Sequence, residues 1–208
     1  MKKIAIALMC VCLLVTPSLA GAWDIKLYAE GGGMGLIEMD ESKGYDVSEG
    51  HKFFYLAGID FIYDNMSFGI EGFSMGEPVD EDPEIFHCGG SINGRYFFTM
   101  YDVTTYVGGS FNHWSRERNI FYPEDQYQAE VVNFATIDAG FHFKPWKWLY
   151  VDIGALFPVW TDITKGELGI DTGIGVEYKR FAIGYHYKQV NFDGMSVPFS
   201  GCLISYTF

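Results

Sequence analysis

Apolar and polar side chains trade places at every second position along almost the whole chain, and that period of two leaves little room for anything but β-strands. Helical spacing with capping residues is hard to find. Strands are expected at roughly 23–37, 51–64, 66–76, 89–101, 103–114, 130–144, 147–160, 167–178, 181–192 and 199–208, ten in all. One face of each is oily. Phe53, Tyr55, Ala57, Ile59, Phe61 and Tyr63 oppose Gly58 and Asp60. Leu149, Val151, Ile153, Ala155, Phe157 and Val159 oppose Tyr150, Asp152 and Gly154. Leu168, Ile170, Thr172, Ile174, Val176 and Tyr178 oppose Glu167, Asp171 and Glu177. In the 103–114 strand the pattern is divided, with Val107 and Phe111 competing with Tyr106 and Trp114 for the oily face.

The connections alternate in length. Asp64-Asn65, Tyr101-Asp102, Lys144 to Lys147 and Lys179-Arg180 read as tight turns, whereas 38–50, 77–88, 115–129, 161–166 and 193–198 read as longer, polar loops. Short turns at one end and long loops at the other are the pattern of an antiparallel barrel in an outer membrane. Residues 1–22 read as a secretory signal: Lys2 and Lys3, an apolar run from Ile4 to Val15, Pro17, and Ala20 or Ala22 before cleavage. The run is too short to span a bilayer, for which about 20 residues are needed. Residues 23–208 are then one barrel domain. Cys10 and Cys12 lack the small preceding residue that lipidation wants, and of the four cysteines Cys88 and Cys202 remain in the mature chain.

The last residues, Gly201-Cys202-Leu203-Ile204-Ser205-Tyr206-Thr207-Phe208, place apolar side chains at 202, 204, 206 and 208. This ending resembles the C-terminal insertion signal of bacterial outer-membrane β-barrel proteins, with a terminal aromatic, apolar residues two and four places earlier and Gly seven places earlier. The resemblance extends over the mature chain in signal, strand pattern and C-terminus, and singles out no one family within the class. It implies an all-β, ten-stranded antiparallel transmembrane β-barrel, with eight strands as the alternative. It also implies contact with outer-membrane lipid and lipopolysaccharide and insertion by the barrel-assembly machinery.

Composition supports that reading. Aromatics at 18% and 25 glycines suit a barrel with aromatic interfaces and closely approaching strands. Tyr63, Tyr101, Phe143, Trp146, Tyr178, Phe181 and Phe208 are expected to form the aromatic girdle at the short-turn end. A soluble β-sandwich or lipocalin-like barrel would alternate too, but its second faces should be dense in Lys, Glu and Ser. Here they hold Gly, Asn and isolated acids. Without Lys2 and Lys3, 12 of the 14 basic residues remain against 27 acids, a balance that argues against nucleic acid as a partner.

In lipid the oily faces look outward and the charges look into the lumen. Glu30, Asp60, Glu71, Arg95, Asp138, Asp152, Asp171, Glu177, His186 and Lys188 are the expected lumen-lining groups, with Lys26 and His142 beside them. Charges inside small barrels are expected to pair, and Arg95 is expected to meet Glu71 or Asp60 on neighbouring strands. The acidic excess would make any narrow path favour cations or small solutes.

Enzymatic constellations do not emerge from this reading. The omptin proteases use paired aspartates with an Asp-x-His pair, and the nearest match is Asp138 with His142, four residues apart. The lipid A deacylase pattern wants His-x-Ser on a late strand, where this chain has His186-Tyr187-Lys188 and no nucleophile. Ser91, Ser110 and Ser200 lack a His or acid at an informative spacing, and no Gly-rich phosphate loop precedes a helix. No cofactor is implied. In the acidic stretch 77–84, Asp80, Glu81, Asp82 and Glu84 form a loose candidate site for a hard cation, and Arg116, Arg118, Phe121, Tyr122 and Tyr127 could meet lipopolysaccharide phosphates or a protein. The expectation is a non-enzymatic barrel, either a narrow cation-preferring channel or a structural and surface-interaction protein; an outer-leaflet enzyme acting on lipid or peptide is the alternative.

Overall fold

Ten antiparallel strands close into a barrel in the computed structural model, which describes residues 23–40, 44–75, 88–101, 103–118, 128–162 and 165–208. They are β1 Asp24–Asp40, β2 Gly44–Tyr63, β3 Met66–Met75, β4 Cys88–Met100, β5 Val103–Arg118, β6 Gln128–Trp146, β7 Leu149–Thr161, β8 Gly166–Tyr178, β9 Phe181–Phe192 and β10 Met195–Thr207. Each strand pairs with its chain neighbours, and β10 closes the ring on β1 through Leu27 opposite Tyr206 and Gly31 opposite Cys202. Closure gives every strand a partner on both sides, the condition for backbone to cross hydrocarbon.

The tight turns sit where their chemistry allows. Asp64, Tyr101 and Lys179 adopt positive φ in the connections β2–β3, β4–β5 and β8–β9. The expected strand limits differ from the observed ones by three residues or more at β1, β2, β5 and β10: β1 runs to Asp40 and β5 to Arg118, beyond the expected 37 and 114. β2 begins at Gly44, not 51, because its outer end pairs with β1 as far as Asp40 opposite Gly44. β10 begins at Met195, not 199: Asp193-Gly194, with Gly194 at φ 77°, makes a two-residue turn where a loop at 193–198 was expected. Asp-Gly between alternating strands is a hairpin signal.

The expected face assignments hold. Phe53, Tyr55, Ile153, Phe157, Leu168, Ile170, Ile174 and Val176 are all exposed on the outer wall. On β5, Val107 and Phe111 point outward while Tyr106 and Trp114 are buried inside. Around the short turns, Tyr63, Tyr101, Phe143, Trp146, Tyr178 and Phe181 are exposed, Trp146 stacks on Trp148 at 5.8 Å, and Tyr206 packs edge-on to Phe208. Cys88 and Cys202 are both unpaired and exposed.

The inside is divided. Towards the long-loop end it holds a packed apolar cluster of Met34, Phe54, Phe73, Trp114, Val132, Phe134, Leu156, Val190, Phe192, Val197 and Phe199. Trp114 meets Phe134, Phe73 and Phe199 edge-on, with ring centroids 4.6, 5.7 and 5.5 Å away, the geometry that aromatic quadrupoles favour. Towards the short turns the lumen is polar and contains a cavity of about 440 Å³.

Candidate functional site

Alternation alone aims the charges inward. Glu30, Asp60, Glu71, Arg95, Asp138, Asp152, Asp171, Glu177, His186 and Lys188 all line the 440 Å³ cavity, together with Lys26 and His142. Most are joined. Arg95 Nε donates to Asp138 Oδ2 at 2.7 Å, and its Nη2 reaches Asp171 Oδ2 at 3.5 Å. His186 continues the chain, with Nε2 2.8 Å from Asp171 Oδ1 and Nδ1 2.8 Å from Glu30 Oε2. Glu71 accepts from the Tyr28 hydroxyl at 3.1 Å and the Ser91 hydroxyl at 3.0 Å, with Lys188 Nζ 3.7 Å away. Nearer the short turns, His142 Nδ1 lies 2.7 Å from Asp152 Oδ1, and Lys144 Nζ lies 2.9 Å from Glu177 Oε2. Glu30 Oε1 is buried with no hydrogen-bond partner among the described residues.

The pairing of Arg95 departs from expectation. Its partners are Asp138 and Asp171, not Glu71 or Asp60. The reason lies on the intervening strand: Arg95 is opposite Gly108, and Gly108 is opposite Asp138. With no side chain at 108, the arginine lies flat across β5; a Cβ there would fall 2.6 Å from Arg95 Cγ. Tyr28 does the same over Gly58 to reach Glu71, two strands away. Tyr106 also supports the arginine, its ring 4.8 Å from the guanidinium carbon.

The omptin-like pair does not assemble, since Asp138 is held by Arg95 and His142 by Asp152. The candidate cation ligands Asp80, Glu81, Asp82 and Glu84 lie outside the described residues, as do Phe121, Tyr122 and Tyr127. Among the described residues no His, Cys, Asp and Glu come together as a metal-binding group.

Sequence reasoning missed two things. The first is the apolar cluster: inward Phe54 lies between outward Phe53 and Tyr55, whereas inward Trp114 and Phe134 lie beside outward His113, Ser115 and Asn133, so the signal was alternation lost at the outer end of β2 and reversed at the outer ends of β5 and β6. Between this cluster and the charged network lies a small cavity of about 20 Å³, lined by Glu30, Glu71, His186 and Lys188 on one side and Phe54, Phe73, Trp114 and Phe199 on the other. The second is a His-x-Ser at His113-Trp114-Ser115, on β5 and not on a late strand. The structure joins His113 to Asn133 and, through it, to Asp162.

A closed antiparallel barrel with an apolar outer wall and a charged interior is a transmembrane barrel of the bacterial outer-membrane class. A solved structure agrees on the fold, and two others bear a looser likeness. The outer membrane protease OmpT from Escherichia coli superposes with a TM-score of 0.51 at 8% identity, covering 90% of this chain and 97% of that one. Ail, the attachment invasion locus protein of Yersinia pestis, in complex with the heparin analogue sucrose octasulfate, gives 0.46 at 12% identity over 90% and 99%. The N-terminal β-barrel domain of Pseudomonas aeruginosa OprF gives 0.43 at 12% over 89% and 97%. No protein-family model and no curated sequence matches the chain. Likeness at this identity shows the fold alone, and function has to be argued from sites.

Proposed function

We propose that this barrel works from its surfaces, as a structural and surface-interaction protein of the outer membrane in contact with outer-leaflet lipid, and not by passing solute through its lumen. The observation that carries this is the apolar plug. Eight or so strands already give an interior that side chains nearly fill. Here the outer half is packed with Phe54, Phe134, Phe192, Val190 and Val197, each at most 1% exposed. A dewetted apolar constriction bars ions, whose dehydration it does not offset. The apolar plug stands between the long-loop end and the polar cavity beneath, which is lined at the short-turn end by Lys179 and Arg180. Its charges serve one another, and no catalytic role is assigned to them.

Planar-bilayer recording tests this. The full mature chain is expected to show no conductance steps, whereas Phe54→Ala, Trp114→Ala and Phe199→Ala combined should open a narrow, cation-preferring path over Glu30, Glu71 and Asp171. Sustained cation-selective steps from the unaltered chain would restore the channel function.

A further inference from the structure

At the long-loop end, three registered rows cross the outer wall. The row nearest the membrane centre is apolar: Ile70, Ile92, Phe111, Ala135 and Trp160 lie side by side on β3 to β7, and Phe111 stacks on Trp160 at 6.1 Å. The next row outward is Gly72, Gly90, His113 and Asn133, extended by Asp162. The third carries Ser115 between Cys88 and Val131. On β5 and β6 the outward polar groups therefore begin one row beyond Phe111 and Ala135, on the side of the long loops, where the headgroups of an outer leaflet would lie.

The middle row is wired to one end. Asp162 accepts from Asn133 Nδ2 at 2.8 Å and from its backbone N–H at 2.9 and 3.0 Å. With its nitrogen held there, the amide turns Oδ1 towards His113 Nδ1, 2.7 Å away. An amide oxygen only accepts, so Nδ1 carries the proton and Nε2 keeps its lone pair. A side-chain amide holding a histidine in this tautomer is one of the convergent forms of the nucleophile–base–orienter arrangement. Ser115 stands on the same face two residues on, about 6.6 Å along the strand. On the other side of His113 the wall is bare across two strands, because Gly90 and Gly72 carry no side chains: a Cβ at Gly72 would meet nothing nearer than Gly89 O at 3.6 Å.

We propose that Ser115 and His113 are a nucleophile and general base that hydrolyse long-chain acyl esters of outer-leaflet lipid, the chain lying against the Gly72–Gly90 shelf and the apolar row below it. This deepens, and rests on, the reading that the barrel acts from its surfaces. Ser115 Oγ bonds to the ester carbonyl carbon as its proton passes to His113 Nε2. The C–O bond to the lipid alcohol breaks, and the departing oxygen takes that proton. Water, deprotonated by the same Nε2, then adds to the acyl-serine, releasing the fatty acid and returning the proton to Ser115. Asn133 and Asp162 are positioning residues.

The test uses the full mature chain reconstituted in two vesicle types, one of phosphatidylethanolamine and one containing lipopolysaccharide, with released fatty acid measured by mass spectrometry. Release above protein-free vesicles is expected in at least one, and which one identifies the source of the ester. Ser115→Ala and His113→Ala should each lower it at least 100-fold while heat-modifiable gel mobility shows the barrel intact, and Ser115→Ala should lose labelling by a fluorophosphonate. Asn133→Ala should lower kcat at least tenfold with KM little changed. Cys88→Ser should leave the rate unaltered. No release from either vesicle, or release indifferent to Ser115→Ala, overturns the proposal. Conductance recorded on the same preparation separates the two ideas: a silent barrel without hydrolysis sinks only this one, and a conducting barrel sinks the surface reading.

Discussion

Arg95 shows how single residues organise the interior. Its guanidinium bridges Asp138 and Asp171, whose side chains are 8% and 14% exposed, while its own is 36% exposed to the cavity. Removing one member of a buried pair costs about 3–5 kcal/mol, because the other charge stays buried. Cavity water softens this, so Arg95→Met should destabilise by about 2–3 kcal/mol, read from urea unfolding in micelles. Arg95→Met with Asp138→Asn should cost less than Arg95→Met alone; a strictly additive double variant would deny that the pair is coupled. Gly108→Val should weaken the same bridge by lifting the arginine off β5. That the charges face inward was legible from alternation, since Asp152 and Asp171 sit opposite runs of apolar residues in period two. Their pairings were not legible: the partner of Arg95 is decided by a glycine one strand away, a three-strand relation that one strand's pattern does not contain.

Among the elements, β10 completes the ring, and its aromatic end is tied down by backbone hydrogen bonds. Phe208 N–H donates to Ile25 O at 2.8 Å, and Thr207 N–H to Arg180 O at 2.9 Å, so the last residues tie β10 to β1 and to the β8–β9 turn. Deleting Phe208, or Phe208→Asp, is expected to leave exported chain unassembled in the periplasm. Heat-modifiable mobility of the membrane fraction measures it, and normal folded yield from the truncated chain would contradict it. The strands themselves were legible wherever lipid and lumen differ in polarity, as on β7 and β8. They blurred where both faces are apolar: β5 puts Phe111 outside and Trp114 inside, as a strand buried on two sides would. The early start of β10 hung on the Asp193-Gly194 turn, whose two residues sit in a polar stretch that otherwise reads as loop.

At the scale of the molecule, the two free thiols report orientation. Cys88 opens β4 at the long-loop end, whereas Cys202 lies mid-barrel opposite Gly31 and Tyr185. A membrane-impermeant maleimide is expected to label Cys88 on intact cells and to miss Cys202, and intact mass without reductant should show no bond between them, since β4 and β10 are not adjacent. Labelling of Cys88 only after the membrane is permeabilised would invert the barrel. The division of the lumen also has an electrical side. A voltage applied across a layered barrier falls mostly over its least conducting layer, which here is the stack of rings around Trp114. The chain from Asp138 to Glu30 lies below that layer, in contact with the cavity at the short-turn end. With the short turns on the periplasmic side, as outer-membrane barrels have them, those ions would share the potential, salt and acidity of the periplasm and not those of the medium directly above the plug.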